Sequence, residues 1–134
     1  MATRSMIYIK KEGTDKWYEV YCHWDGQPHR MLPALNAHSP EDILRVADIK
    51  YITTDEIAQL PDPQPLRTSS HFPVWPQSDI EYCYVLTPDG WKAAENPKEL
   101  VDIYNNLNVQ RDRPEVLDES GLTIERFKIL SGIK

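Results

Sequence analysis

The sequence predicts an α+β fold: a single domain with an antiparallel sheet of about four strands, arranged as two hairpins, and about three helices packed mainly on one face. Three observations predict it. Apolar and polar residues alternate over Trp17–Trp24, and an apolar-rich strand-like run covers Ser78–Thr87. Each run is joined to a neighbour by a short Gly-containing turn. Ser39 and Asn96 each precede a proline and stand three residues before an acid, the pattern of a capped helix start. At 134 residues the chain can bury a core without staples, and 40% hydrophobic with 27% charged residues is ordinary globular usage.

In chain order, Ser5–Lys11 reads as a strand centred on Met6, Ile7, Tyr8 and Ile9, and the polar residues Glu12–Lys16 as its hairpin loop. In the next strand Tyr18, Val20, Cys22 and Trp24 share one face, the expected core face, and Glu19, Tyr21 and His23 the other. Asp25-Gly26 ends it, glycine being suited to the positive φ of a sharp turn. Pro28–Pro33 fits either a turn or a short helix. Ser39 caps a helix from Pro40 to about Asp48, with Ile43, Leu44, Val46 and Ala47 as its apolar stripe. Thr53 with Glu56 predicts a second, short helix that Pro61 stops.

Five prolines between Pro61 and Pro76 predict a long irregular loop, its second half pinned by Phe72, Val74 and Trp75. Ser78–Thr87 then reads as a central strand covered on both faces. Thr87–Gly90 is its turn, and Trp91–Ala94 pairs back. Asn96, Pro97 and Glu99 start a helix carrying Leu100, Ile103, Tyr104 and Leu107 on one stripe. Gln110–Glu115 reads as loop, and Leu122, Ile124, Phe127 and Leu130 as a last short helix.

Composition narrows function more by exclusion than by assignment. A net charge of −6 offers no basic surface for phosphate-backbone contact, which disfavours nucleic acid as a partner. No apolar run is long enough to span a bilayer, and the first residues lack the apolar stretch of a signal peptide, so the expected location is cytoplasmic. Cys22 and Cys83 are expected as two reduced, buried thiols.

Chemistry concentrates in Tyr21-Cys22-His23-Trp24-Asp25-Gly26-Gln27-Pro28. Cys22 beside His23 invites a nucleophile–base pair, but strand neighbours point to opposite faces. His23 and Asp25 share a face, and a turn-stabilising hydrogen bond is the expected use of that pair. His23, His29, His38, Asp25 and Cys22 lack the spacing of a zinc site. No catalytic residue, metal site or cofactor is therefore assigned. The four tryptophans and seven tyrosines fit cross-strand core pairs better than a base-stacking groove. The candidate binding residues are Tyr21, His23, Asp25, Gln27, His29 and Arg30 around the turn, with Trp75 on the Pro-rich loop 61–76, because loops on a rigid sheet carry recognition.

The octapeptide resembles a Tyr-Cys-His-Trp-Asp-Gly-Tyr-Pro signature found in small uncharacterised proteins of bacteriophages and prophages. Ala2-Thr3-Arg4-Ser5 is similar to their opening, Ala47-Asp48-Ile49 to their Gly-Asp-Leu segment, and Glu81–Val85 with Asp89-Gly90-Trp91 to their closing hairpin. Gln27 stands where they carry Tyr, and Pro28–Pro33 replaces a Gly-rich segment. The resemblance implies a setting, that of a phage accessory protein in the cytoplasm of an infected bacterium, and no chemistry. The expected role is non-enzymatic: binding a host protein, such as an antiviral defence component, and inhibiting or redirecting it. The alternative is a binder or hydrolase of a small nucleotide signal, with Tyr21, His23, Asp25 and Arg30 around the ligand. A structural part of the virion is a third class, and an exposed aromatic sheet face would allow a homodimer.

Overall fold

The computed structural model describes residues 3–69, 75, 76 and 79–112. By its internal contacts the chain divides into Met1–Tyr104, which holds the sheet, and Asn105–Lys134, described through helical residues up to Asp112. The expected helix around Leu122–Leu130 and the burial of Phe72 and Val74 lie outside the described residues.

β1 (Arg4–Lys10) and β2 (Trp17–Cys22) form the first hairpin, running from Ser5 opposite Cys22 to Lys10 opposite Trp17. β6 (Ile80–Thr87) and β7 (Gly90–Ala94) form the other expected hairpin. Both were legible from alternation and turn chemistry. The sheet is larger than four strands and is mixed. Its order is β4-β3-β2-β1-β6-β7, with β3 (Asp48–Ile52) and β4 (Ile57–Gln59) as a third hairpin and β5 (Arg67–Ser69) paired to β2. The two predicted hairpins join through β1 and β6, which run parallel with Met6 opposite Cys83 and Ile7 opposite Tyr84. A parallel pair needs a long connection, and the whole segment between β2 and β6 supplies it.

β2 has two partners along one edge. β3 runs parallel to its end, with Tyr21 opposite Asp48, and β5 runs antiparallel to its start, with Trp17 opposite Ser69. The Pro-rich loop is thus not wholly irregular: Arg67–Ser69 becomes a strand because β2 offers unpaired backbone groups there. The helix expected at Thr53 is a turn. Thr53 Oγ1 accepts from the amides of Asp55 and Glu56, and the Thr53 amide donates to the Glu56 carbonyl, closing the β3–β4 hairpin. Threonine with an acid three residues on fits a side-chain-capped turn as well as a helix.

α1 (Pro28–Ala37) resolves the ambiguous Pro28–Pro33 segment as helix. Pro28 occupies its first turn and Pro33 lies inside it. α2 (Pro40–Val46) starts as expected, with Ser39 Oγ accepting from the Asp42 amide at 3.2 Å. α3 (Pro97–Asp112) is capped by Asn96 Oδ1, which accepts from the Glu99 amide at 2.9 Å, and Glu99 Oε1 accepts from the Glu95 amide at 2.7 Å. The helix continues through Gln110–Asp112, where loop was expected.

Met31, Ala34 and Leu35 of α1 and Ile43 of α2 pack with Ile7, Val20, Cys22, Ile49 and Tyr84 in one core cluster. The opposite face of the central strands is buried too, through Met6, Tyr8, Cys83, Val85 and Ala94. β6 is therefore covered on both sides, as its doubly apolar sequence predicts. Cys22 and Cys83 are free and buried, on opposite faces and separated by β1, so they cannot bridge.

Candidate functional site

β2 ends at Cys22, but the next two residues stay tied to the sheet. The amides of His23 and Trp24 donate to the carbonyls of Ile49 and Lys50 at 3.0 and 2.9 Å, which holds them beside β3. The corner then turns at Asp25, whose φ is 57°. The positive φ expected of glycine thus falls on aspartate, one of the residues that tolerate it. Gly26 is needed for another reason. Its amide donates to the Thr3 carbonyl at 2.9 Å, and a Cβ there would lie 2.6 Å from that oxygen and 2.9 Å from Ser5 Oγ. Its own carbonyl accepts the Tyr84 hydroxyl. The turn is clamped from both sides.

On this base stand three rings. Tyr21 Oη lies 2.8 Å from His23 Nδ1, with ring centroids 5.9 Å apart. His23 meets Trp24 edge to face at 5.1 Å and 87°. Trp24 is 39% exposed and, with Val101, makes up the exposed large hydrophobic side chains among the described residues. The alternation that placed Trp24 on the core face breaks down because β2 ends at Cys22. Burial raises the Tyr21 hydroxyl above its ordinary value, against the opposing pull of the Arg4 positive charge.

The nominated residues divide into two groups. Tyr21 and His23 are in direct contact. Trp75 lies toward the same end of the sheet, its indole donating to the Ile80 carbonyl at 3.1 Å, and Ile80 is opposite Arg4. Gln27, His29 and Arg30 belong instead to the start of α1, where Gln27 is the N-cap without a side-chain capping bond and His29 and Arg30 are exposed. The expected His23–Asp25 hydrogen bond is replaced by His23–Tyr21, because two residues further along Asp25 has already left the extended backbone. Trp24 was missed, although a tryptophan adjoining a turn signal was a usable hint.

Cys22 has none of the features of a nucleophile. Burial pushes its thiol up to about 12, and its Sγ donates to the Trp24 carbonyl at 3.5 Å, on the face away from His23. Trp17 is buried and Trp91 half-buried, as core aromatics of a sheet are. Among the described residues no three His, Cys, Asp or Glu side chains group as a metal site, and no helix is long and apolar enough to cross a membrane. No protein-family model, curated protein or solved structure matches the chain.

Proposed function

We propose that this is a non-enzymatic phage accessory protein that binds a host protein in the cytoplasm of the infected bacterium, as an inhibitor or redirector of an antiviral defence component. The observation that carries the binding reading is Trp24: an exposed indole held by backbone bonds to β3, braced by the His23 ring, at a corner clamped by Thr3 and Tyr84. Exposed tryptophan on a rigid mount supplies large apolar contact area at little entropic cost, the property that makes tryptophan a frequent interface anchor. The exposed His29 and Arg30 sit a few residues along on α1 and supply polar rim. The phage setting rests on the octapeptide resemblance. A further support is Ala47, whose φ of 69° is the kind of backbone glycine takes, at the position where the resembling proteins carry Gly-Asp-Leu.

Affinity capture from infected cells, run in parallel with the wild-type chain and Trp24→Ala, tests the reading. A partner recovered by the first and lost with the second, both being equally folded, is the expected outcome. Identical recoveries, or none with either, would overturn it.

A further inference from the structure

Two exposed features flank β3, and each is the kind of surface the other binds. On the β2 side the Trp24 amide is held by the Lys50 carbonyl at 2.9 Å, and the indole stands 39% exposed against the His23 ring. On the β4 side Asp48 carries the start of the Pro-rich loop. Its carbonyl accepts from the Leu60 amide at 3.1 Å, and its buried side chain accepts from the Gln64 amide at 2.6 Å through Oδ2. Lys50 and Asp48 are two residues, about 7 Å, apart along the strand.

Every residue of Pro61–Pro65 is exposed. Proline fixes φ at positions 63 and 65, the residue before a proline is confined to extended backbone, and the Gln64 amide is already taken by Asp48. Pro63-Gln64-Pro65 is thus a pre-ordered stretch of rings and carbonyls with no free backbone donor. Aromatic side chains bind such segments at low entropic cost. The indole and the prolines are all uncovered, so they do not satisfy each other within one chain. Charge divides the same way. Exposed Lys50 adjoins Trp24, exposed Asp62 lies inside the loop, and neither is in an ion pair among the described residues.

We propose that a second copy of this chain covers the corner. Across a two-fold axis beside β3, Trp24 of each copy stacks on Pro63 and Pro65 of the other, and Lys50 of each faces Asp62 of the other. An isologous contact uses both features twice, which is what one chain carrying both halves of a matched pair provides. The pairing rests on the same mounted indole as the host-binding reading, and it makes a host protein and a second copy competitors for Trp24.

Sedimentation equilibrium of the full chain tests it, with a monomer–dimer equilibrium expected for the wild type. Trp24→Ala, and separately Pro63→Ser with Pro65→Ser, should each weaken the dimer by about tenfold or more, the scale of truncating an interface anchor. Lys50→Glu should weaken it too, and adding Asp62→Lys should restore it, which a role in folding for either residue would not do. Arg30→Gln, on α1, should leave it unchanged. The proline variant keeps Trp24, so it should lose the dimer and still capture a host protein; the two readings can therefore fail separately. A wild type that stays monomeric at millimolar concentration overturns the proposal. So does a dimer indifferent to the proline variant, or one that the charge exchange does not restore, in folded proteins.

Discussion

Tyr84 donates its hydroxyl to the Gly26 carbonyl at 2.5 Å, a fully buried hydrogen bond between β6 and a corner 58 residues earlier in the chain. It fastens the end of the first hairpin to the middle of the second. Burial raises the Tyr84 hydroxyl well above its ordinary value, so the bond keeps its proton at any physiological pH. Tyr84→Phe keeps the ring and leaves the Gly26 carbonyl without this donor. The expected cost is about 1–3 kcal/mol of stability, the desolvation penalty of an orphaned buried acceptor. Urea denaturation reads it, and a loss below about 0.5 kcal/mol, the scale of a neutral surface change, would show the bond to be dispensable.

Gly26→Ala tests the close approach on the other side of the same residue. The added methyl would meet the Thr3 backbone oxygen at 2.6 Å, and a carbonyl held in a hydrogen bond cannot retreat cheaply. We expect a loss of about 2–3 kcal/mol, the upper range of overpacking. A variant within about 0.5 kcal/mol of wild type would mean that the N-terminal segment shifts freely.

Ala47→Gly should act in the opposite direction. Ala47 links α2 to β3 with φ 69° and ψ −67°, a region costly for an L residue. Glycine relieves that strain at the smaller expense of a freer unfolded chain, a net gain of about 1 kcal/mol. A lower denaturation midpoint in the variant would refute the strain argument.

The buried thiols predict an alkaline limit. Burial pushes Cys22 and Cys83 each up to about 12 from the ordinary 9.0. A folded-state value above the unfolded one means the unfolded thiol ionises first. Their contribution is therefore complete below pH about 9 and is lost as pH rises from there toward 12. Denaturation midpoints measured across that range should fall, and neither native thiol should react with a disulfide reagent at pH about 8 unless the chain is unfolded. Fast labelling of the native protein would contradict the burial of both side chains.

What could be read from sequence was what local chemistry dictates. Thr87–Gly90 and Glu12–Lys16 mark hairpins by their turn residues, and Ser39 and Asn96 mark helices by side chains that cap them. β3 and β5 escaped because each pairs with β2, far away in sequence, and β4 because the Thr53 turn that joins it to β3 also reads as a helix start. Ile49–Ile52 lies directly after a helix signal, and Arg67–Ser69 has only β2 to recommend it as a strand. The parallel union of β1 with β6 leaves no mark in either segment. The same limit governed the site: Tyr21 and His23 stood out by composition, whereas the exposure of Trp24 follows from where β2 ends.

The chain's order of synthesis meets this topology awkwardly. β2, β3, β4 and β5 can assemble on β1 as soon as residue 69 has emerged, yet the far side of β1 must wait for residues 80–87. Until then Met6–Tyr8 presents an open ladder of backbone groups on a strongly apolar strand, an invitation to pair with another nascent chain. Arg4 and Lys10, charged residues at the two ends of that strand, are where its sequence discourages such mispairing, and replacing them with apolar residues should show first as lower soluble yield.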